Sequence, residues 1–110
     1  MKDTPKKENK NSQECPFQEA MHLLSGKWTM SIINTLMYGT MRFKELERSV
    51  EGINTRMLVK ELKQLEAKKI VNRKAYATVP PTVEYSLTEK GELLKPVITE
   101  IQAWALKVLI

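Results

Sequence analysis

A mostly α-helical domain with one small β-hairpin is what this sequence predicts, and three observations carry that prediction. Between Pro16 and Ile70 apolar side chains recur every three or four residues and the runs break at glycines, the periodicity of amphipathic helices. From Val71 to Leu87 the pattern changes to Val, Tyr and Thr alternating with polar residues around Pro80-Pro81, which is strand spacing with a proline-marked tip. After Thr88 helical spacing returns and runs to the C-terminus.

The chain of 110 residues is long enough for one modest core and too short for two. With 42% hydrophobic and 28% charged residues it has the composition of a soluble globular protein. No apolar run approaches the roughly 20 residues of a membrane span, and residues 1–14 lack the apolar stretch of a signal peptide, so a cytoplasmic location is expected. One cysteine and one histidine exclude an internal disulfide framework and a Cys/His zinc cluster. No metal or other cofactor is implied.

Charge placement is more informative than the net +5. Residues 42–74 hold ten Lys/Arg against five Asp/Glu, and the rest of the chain is balanced. A positive excess confined to one segment suits a polyanion, nucleic acid before membrane. A solvated lysine-rich face has the same composition.

Taken in order, residues 1–14 are polar and charged after Met1 and are expected to form a disordered tail. Its Lys2, Lys6, Lys7 and Lys10 are either solvated or in passing contact with phosphates. The ordered domain is expected over 15–110. Pro16 suits the first position of a helix, and Phe17, Ala20, Met21 and Leu24 follow at helical spacing up to Ser25-Gly26. A second helix is expected from Lys27 to Tyr38, closed by Gly39. Phe43, Leu46 and Val50 define a short third helix, broken at Glu51-Gly52.

The next stretch, ending at Ile70, is the most informative. Asn54 stands at an N-cap position. Leu58, Leu62 and Leu65 share one face, while Arg56, Lys60 and Lys63 fall on the opposite one at about 100° per residue, with Glu61 and Glu66 at its edges,. Two helices across a glycine turn, the second basic on its outer face, form a helix-turn-helix with the second helix in the reading position. The hairpin that follows, Val71–Ala77 and Thr82–Leu87, then stands as a wing. Thr88 can cap the last helical region, 89–110, in which Pro96 forces a kink or a restart. Beyond it Ile98, Ile101, Ala105 and Val108 form an apolar stripe flanked by Val97, Trp104 and Leu109, so wide for a terminal helix that a dimer seam is favoured over packing within one chain. The layout is a winged helix-turn-helix with helices available for dimerisation at both ends.

Several motifs in this order resemble a known family. Cys15-Pro16, Gly26-Lys27-Trp28-Thr29, Arg42-Phe43 with Glu45-Leu46, Gly52-Ile53, Met57-Leu58, Leu62 with Leu65-Glu66, Pro80-Pro81 with Val83-Glu84-Tyr85, and Leu87-Thr88-Glu89-Lys90-Gly91 are similar to the HxlR-type transcriptional regulators of bacteria and archaea. The likeness spans about residues 15–106. It implies a homodimer that binds double-stranded DNA at a two-fold operator, with Phe17, Val97, Ile101, Trp104, Ala105 and Val108 in the subunit interface. Some members sense electrophiles or oxidants through a cysteine at the position of Cys15. This chain departs from sensors that pair two cysteines, since Cys15 has no second cysteine. A small electrophile, a low-molecular-weight thiol or the partner's own Cys15 remain as reactants.

In such a dimer the reading helices enter successive major grooves about 34–36 Å apart. Thr55, Arg56, Val59, Lys60 and Lys63 are the base-facing candidates. Arg56 near the helix start suits guanine, and Val59 suits a thymine methyl. Lys60 and Lys63 serve phosphates equally well. Thr40, Arg42, Lys44, Asn54, Arg73 and Lys74 are assigned to the DNA backbone. For Cys15, a thiol at a helix N-terminus faces the positive end of the dipole, which favours the reactive thiolate; a small buried interface residue is the other reading. Catalysis is not expected: Cys15 and His22 are about two helical turns apart, too far to act as nucleophile and base. The rival function is a winged-helix module that binds protein rather than DNA.

Overall fold

Leucine and isoleucine side chains from four helices meet the inner face of a small sheet, and this junction is the core. The computed structural model describes residues 15–109. The expected tail, residues 1–14, and Ile110 lie outside the described residues. In order the elements are α1 (Pro16–Leu24), α2 (Thr29–Leu36), β1 (Met41–Arg42), α3 (Phe43–Ser49), α4 (Thr55–Ala67), β2 (Val71–Tyr76), β3 (Thr82–Leu87), α5 (Glu89–Glu92) and α6 (Lys95–Val108). Ile32, Ile33 and Leu36 of α2, Leu46 of α3, and Leu58, Leu62 and Leu65 of α4 are all buried with Tyr85 and Leu87 of β3. Helical spacing in α2 and α4 therefore marks the inward face, as the sequence predicted.

Local signals account for most element boundaries. Asn54 caps α4 by accepting a hydrogen bond from the Met57 amide at 2.8 Å, which satisfies one of the free donors of the first turn. Before it, Gly52 turns the chain with φ +89°, a conformation that side chains with a Cβ disfavour. Thr88 caps α5 in the same way, accepting from the Gly91 amide at 3.0 Å. Pro96 lies in the first turn of α6, so the terminal region restarts there as a new helix.

Four boundaries or placements differ from the sequence reading. The wing is not a two-stranded hairpin alone: β1 adds to it, giving a three-stranded antiparallel sheet in the order β1-β3-β2. Two residues carry no periodicity, and β1 is defined only by its partners, Met41 opposite Tyr85 and Arg42 opposite Glu84. Helix α2 begins at Thr29 rather than Lys27, because Lys27 and Trp28 belong to the turn that leaves α1. Helix α4 stops at Ala67, and Lys69 takes φ +65°. The Lys69 amide bonds the Glu66 carbonyl and the Ile70 amide bonds the Leu65 carbonyl, both at 3.0 Å. That is a Schellman ending built on lysine where glycine is usual, so the sequence lacked the stop signal. Finally, Ile98 leaves the stripe on α6 and enters the core at 4% exposure.

The remainder of that stripe stays outside. Val97, Ile101, Trp104 and Val108 of α6 and Phe17 and Met21 of α1 are exposed, and Ala105 is half-buried. Helix α6 is docked on α2 by the Gln102 amide, which donates to Asn34 Oδ1 at 3.2 Å. No described helix is long and apolar enough to cross a membrane.

Candidate nucleic-acid interface

Helix α4 sits on the core through its leucines, and this alone turns the opposite face outward. Leu58, Leu62 and Leu65 are at most 2% exposed, whereas Arg56, Val59, Lys60 and Lys63 are all exposed. Three cations and one branched apolar group thus share a continuous outer surface of a capped helix. That is the chemistry needed to enter a DNA groove: charge for phosphates, guanidinium donors for guanine and a methyl surface for thymine.

Thr55 is less free than its position suggests. Its hydroxyl donates to the carboxylate of Glu47 on α3, so the first turn of α4 is pinned to the preceding helix. Asn54 also has its side-chain oxygen engaged in the cap, leaving its amide N–H groups as the available donors.

The flanking cations divide into two sets. Strand side chains alternate between faces, and the pairing of Val71 with Leu87 and of Arg73 with Tyr85 puts Arg73 on the face turned towards α4. There it lines a groove between α4 and the wing together with Val59, Lys63, Glu66, Phe43 and Tyr85. Lys74 points to the other face, where its Nζ lies 5.4 Å from the centre of the Tyr76 ring. Across the sheet Glu84 stands opposite both Lys74 and Arg42, forming a cation–anion–cation row. Arg73 is therefore contiguous with the outer face of α4, and Lys74 and Arg42 are not.

The remaining candidates are exposed but peripheral. Thr40 lies in the loop before β1 and Lys44 in the first turn of α3. The Arg42 amide donates to Glu45 Oε1 at 2.8 Å, which fixes the start of α3. Cys15 is exposed as a free thiol immediately before α1, with its carbonyl accepting from the Glu19 amide at 3.0 Å. His22 is exposed near the other end of that helix. No group of three or more His, Cys, Asp or Glu side chains suited to a metal occurs among the described residues.

One residue was misjudged from sequence. Glu61 was placed at the edge of the basic face, yet it is 8% exposed and its Oε1 accepts from the Thr29 hydroxyl at 3.4 Å. Its position, about 60° from Leu58 around the helix, lies on the flank of the apolar stripe. Only the presence of α2 on that flank decides that it is covered.

Comparison with known proteins agrees with this architecture. The chain is 46% identical over 99 residues to an HTH-type transcriptional regulator of Halalkalibacterium halodurans, covering 89% of this chain and 88% of the relative. Among solved structures, the redox regulator HypR in its oxidized form superposes with TM-score 0.78 at 39% identity, covering 84% of this chain and 96% of that one. The reduced form of the transcriptional regulator YodB from Bacillus subtilis superposes with TM-score 0.76 at 41% identity, covering 87% and 95%. The model of the HxlR-like helix-turn-helix family matches residues 23–109. The chain belongs to the HxlR family of winged helix-turn-helix, DNA-binding transcriptional regulators.

Proposed function

We propose that this regulator is a homodimeric repressor that binds a two-fold operator through α4 and is released by modification of Cys15. The observation that carries the reading is the outer face of α4: Arg56, Val59, Lys60 and Lys63 exposed together on a helix held from behind by three buried leucines. Arg56 and Val59 read bases. Lys60 and Lys63 divide between bases and phosphates, and Thr55 contributes through its methyl group while its hydroxyl stays with Glu47. Arg73, Asn54, Thr40 and Lys44 contact the DNA backbone, whereas Arg42 and Lys74, on the sheet face turned away from α4, touch no phosphate and add only to the long-range positive field.

Dimerisation is supported by the exposed apolar side chains of α1 and α6, which a solitary subunit would leave in water at a cost of about 25 cal/mol per Å². Cys15 adjoins this surface, so a group added to its sulfur alters the fit between subunits and with it the spacing of the two reading helices. HypR is a redox regulator, and Cys15 here is exposed. Addition of the thiolate sulfur to an electron-poor ring carbon of a quinone, with the proton ending on the ring oxygen, requires no second cysteine.

Footprinting on the DNA upstream of the coding region and its neighbours tests the reading. Two protected half-sites one helical turn apart are expected, with binding that falls steeply as salt rises. A salt-insensitive or featureless interaction would favour the protein-binding module instead. Cys15→Ser is expected to abolish release by quinone. Release that persists in that variant removes Cys15 from the switch.

A further inference from the structure

We propose that Glu61 is a positioning residue for recognition, tied to Thr29 so that the start of α2, with the turn before it, sets the fine rotation of α4. The inference rests on the reading of α4 as the helix that discriminates between DNA sequences. Three observations place the tie. Glu61 and Thr29 are 8% and 5% exposed and meet across 32 positions of sequence, Thr29 Oγ1 donating to Glu61 Oε1 at 3.4 Å. The approach depends on Gly26, where an added Cβ would stand 2.4 Å from Thr29 Oγ1 and 3.6 Å from Glu61 Oε1. The intervening Trp28 reaches the entrance of α4: a Cβ at Gly52 would lie 3.4 Å from Trp28 Cη2.

The turn and the first residue of α2 together hold α4 at two places: Trp28 at the glycine bend before its N-cap and Thr29 on the flank of its second turn. The buried leucines Leu58, Leu62 and Leu65 decide which face of α4 turns outward. The two contacts add directional restraints on where the helix starts and on its last few degrees of rotation, which the hydrophobic effect does not supply. Rotation matters for reading. With side chains the helix has a radius of about 6 Å, so a turn of about 10° moves an outward tip by about 1 Å. Base-edge hydrogen bonds tolerate less than that, since heavy-atom distances span only about 2.7–3.2 Å. Lysine contacts to phosphate adapt, because the ammonium is a point charge on a flexible stem. Loss of the tie should thus lower discrimination before it lowers total affinity.

At 3.4 Å the bond is long for a hydroxyl donor, and its net contribution is that of a weak hydrogen bond. The larger effect comes from leaving the Glu61 carboxyl buried without a partner. Thr29→Val keeps the volume and removes the donor; Thr29→Ser restores it. The probes are a duplex selected from a random pool by the native protein and a scrambled duplex of the same composition, measured by fluorescence anisotropy. A loss of folded protein lowers both affinities equally and leaves their ratio unchanged, so the ratio separates positioning from stability.

Thr29→Val is expected to lower the ratio about fivefold, the order of one hydrogen bond, and Thr29→Ser to return it to the native value. If Thr29→Val does not fold, the apolar pair Thr29→Val with Glu61→Leu supplies the measurement, because replacing a buried polar pair by packed hydrophobic groups preserves stability. A native ratio in whichever of these variants is measured overturns the inference. A native protein that binds selected and scrambled duplexes alike overturns instead the underlying reading of α4.

Discussion

The division of the wing cations leads to a quantitative prediction. Arg73 lines the groove between α4 and the sheet with Lys63, whereas Lys74 lies on the opposite face beside Tyr76 and across from Glu84. A phosphate passing along the outer face of α4 meets Arg73 and not Lys74. Each neutralised phosphate contributes a slope of about 0.9 to the fall of log K with log[salt]. At an ionic strength of about 0.15 M, one contact then strengthens binding by about fivefold, and two symmetric contacts in a dimer by about thirtyfold. Arg73→Gln should therefore weaken operator and non-operator DNA alike by about that factor and flatten the salt slope by about 1.8. Lys74→Gln should leave the slope close to native, because its ammonium is held over the Tyr76 ring and opposes a carboxylate. Anisotropy titrations at several salt concentrations, on one operator duplex and one scrambled duplex, give both numbers. A native slope for Arg73→Gln, or an equal flattening for Lys74→Gln, would refute the assignment of the groove face to the DNA.

Two other substitutions probe specificity and stability separately. Arg56→Ala should relax the preference at one position of each half-site, at a cost of about 1–3 kcal/mol for the lost bidentate contact; an unaltered selection profile removes Arg56 from base reading. Lys69→Gly should raise the melting temperature, since relief of the left-handed conformation at φ +65° is worth about 1–2 kcal/mol and the added freedom of the unfolded chain offsets about 0.4–1 kcal/mol of that. A lower melting temperature would show that the lysine side chain itself holds the end of α4.

Most of the wide apolar stripe on the terminal helix is left uncovered by its own chain, as are Phe17 and Met21 of α1. Ile98 is the exception that defines the limit of intramolecular packing: it is buried, while Ile101, one turn further on, is 49% exposed. Beyond Ile101 the helix still touches its own chain through Gln102, whose amide donates to Asn34 Oδ1, but Trp104, Val108 and Leu109 stay exposed.

Local chemistry was sufficient for much of this molecule. The leucine spacing of α4, the Asn54 and Thr88 caps, the Pro80-Pro81 tip and the restart at Pro96 each act within a few residues, so the sequence by itself determined the order of the main helices and the hairpin, the inward faces of α2 and α4 and the winged helix-turn-helix layout. What escaped it is long-range. Strand β1 exists only because Met41 and Arg42 pair with β3, residues more than forty positions away. The end of α4 rests on a lysine in a glycine conformation, which no residue type announces. Arg73 and Lys74 are neighbours in sequence and point to opposite faces, and the register of β2 on β3 decided which of them shares a groove with α4. The burial of Glu61 likewise required α2 to arrive on its flank. Backbone preference and periodicity are properties of a short segment, whereas the surroundings of a single polar side chain are set by whichever distant element packs against it.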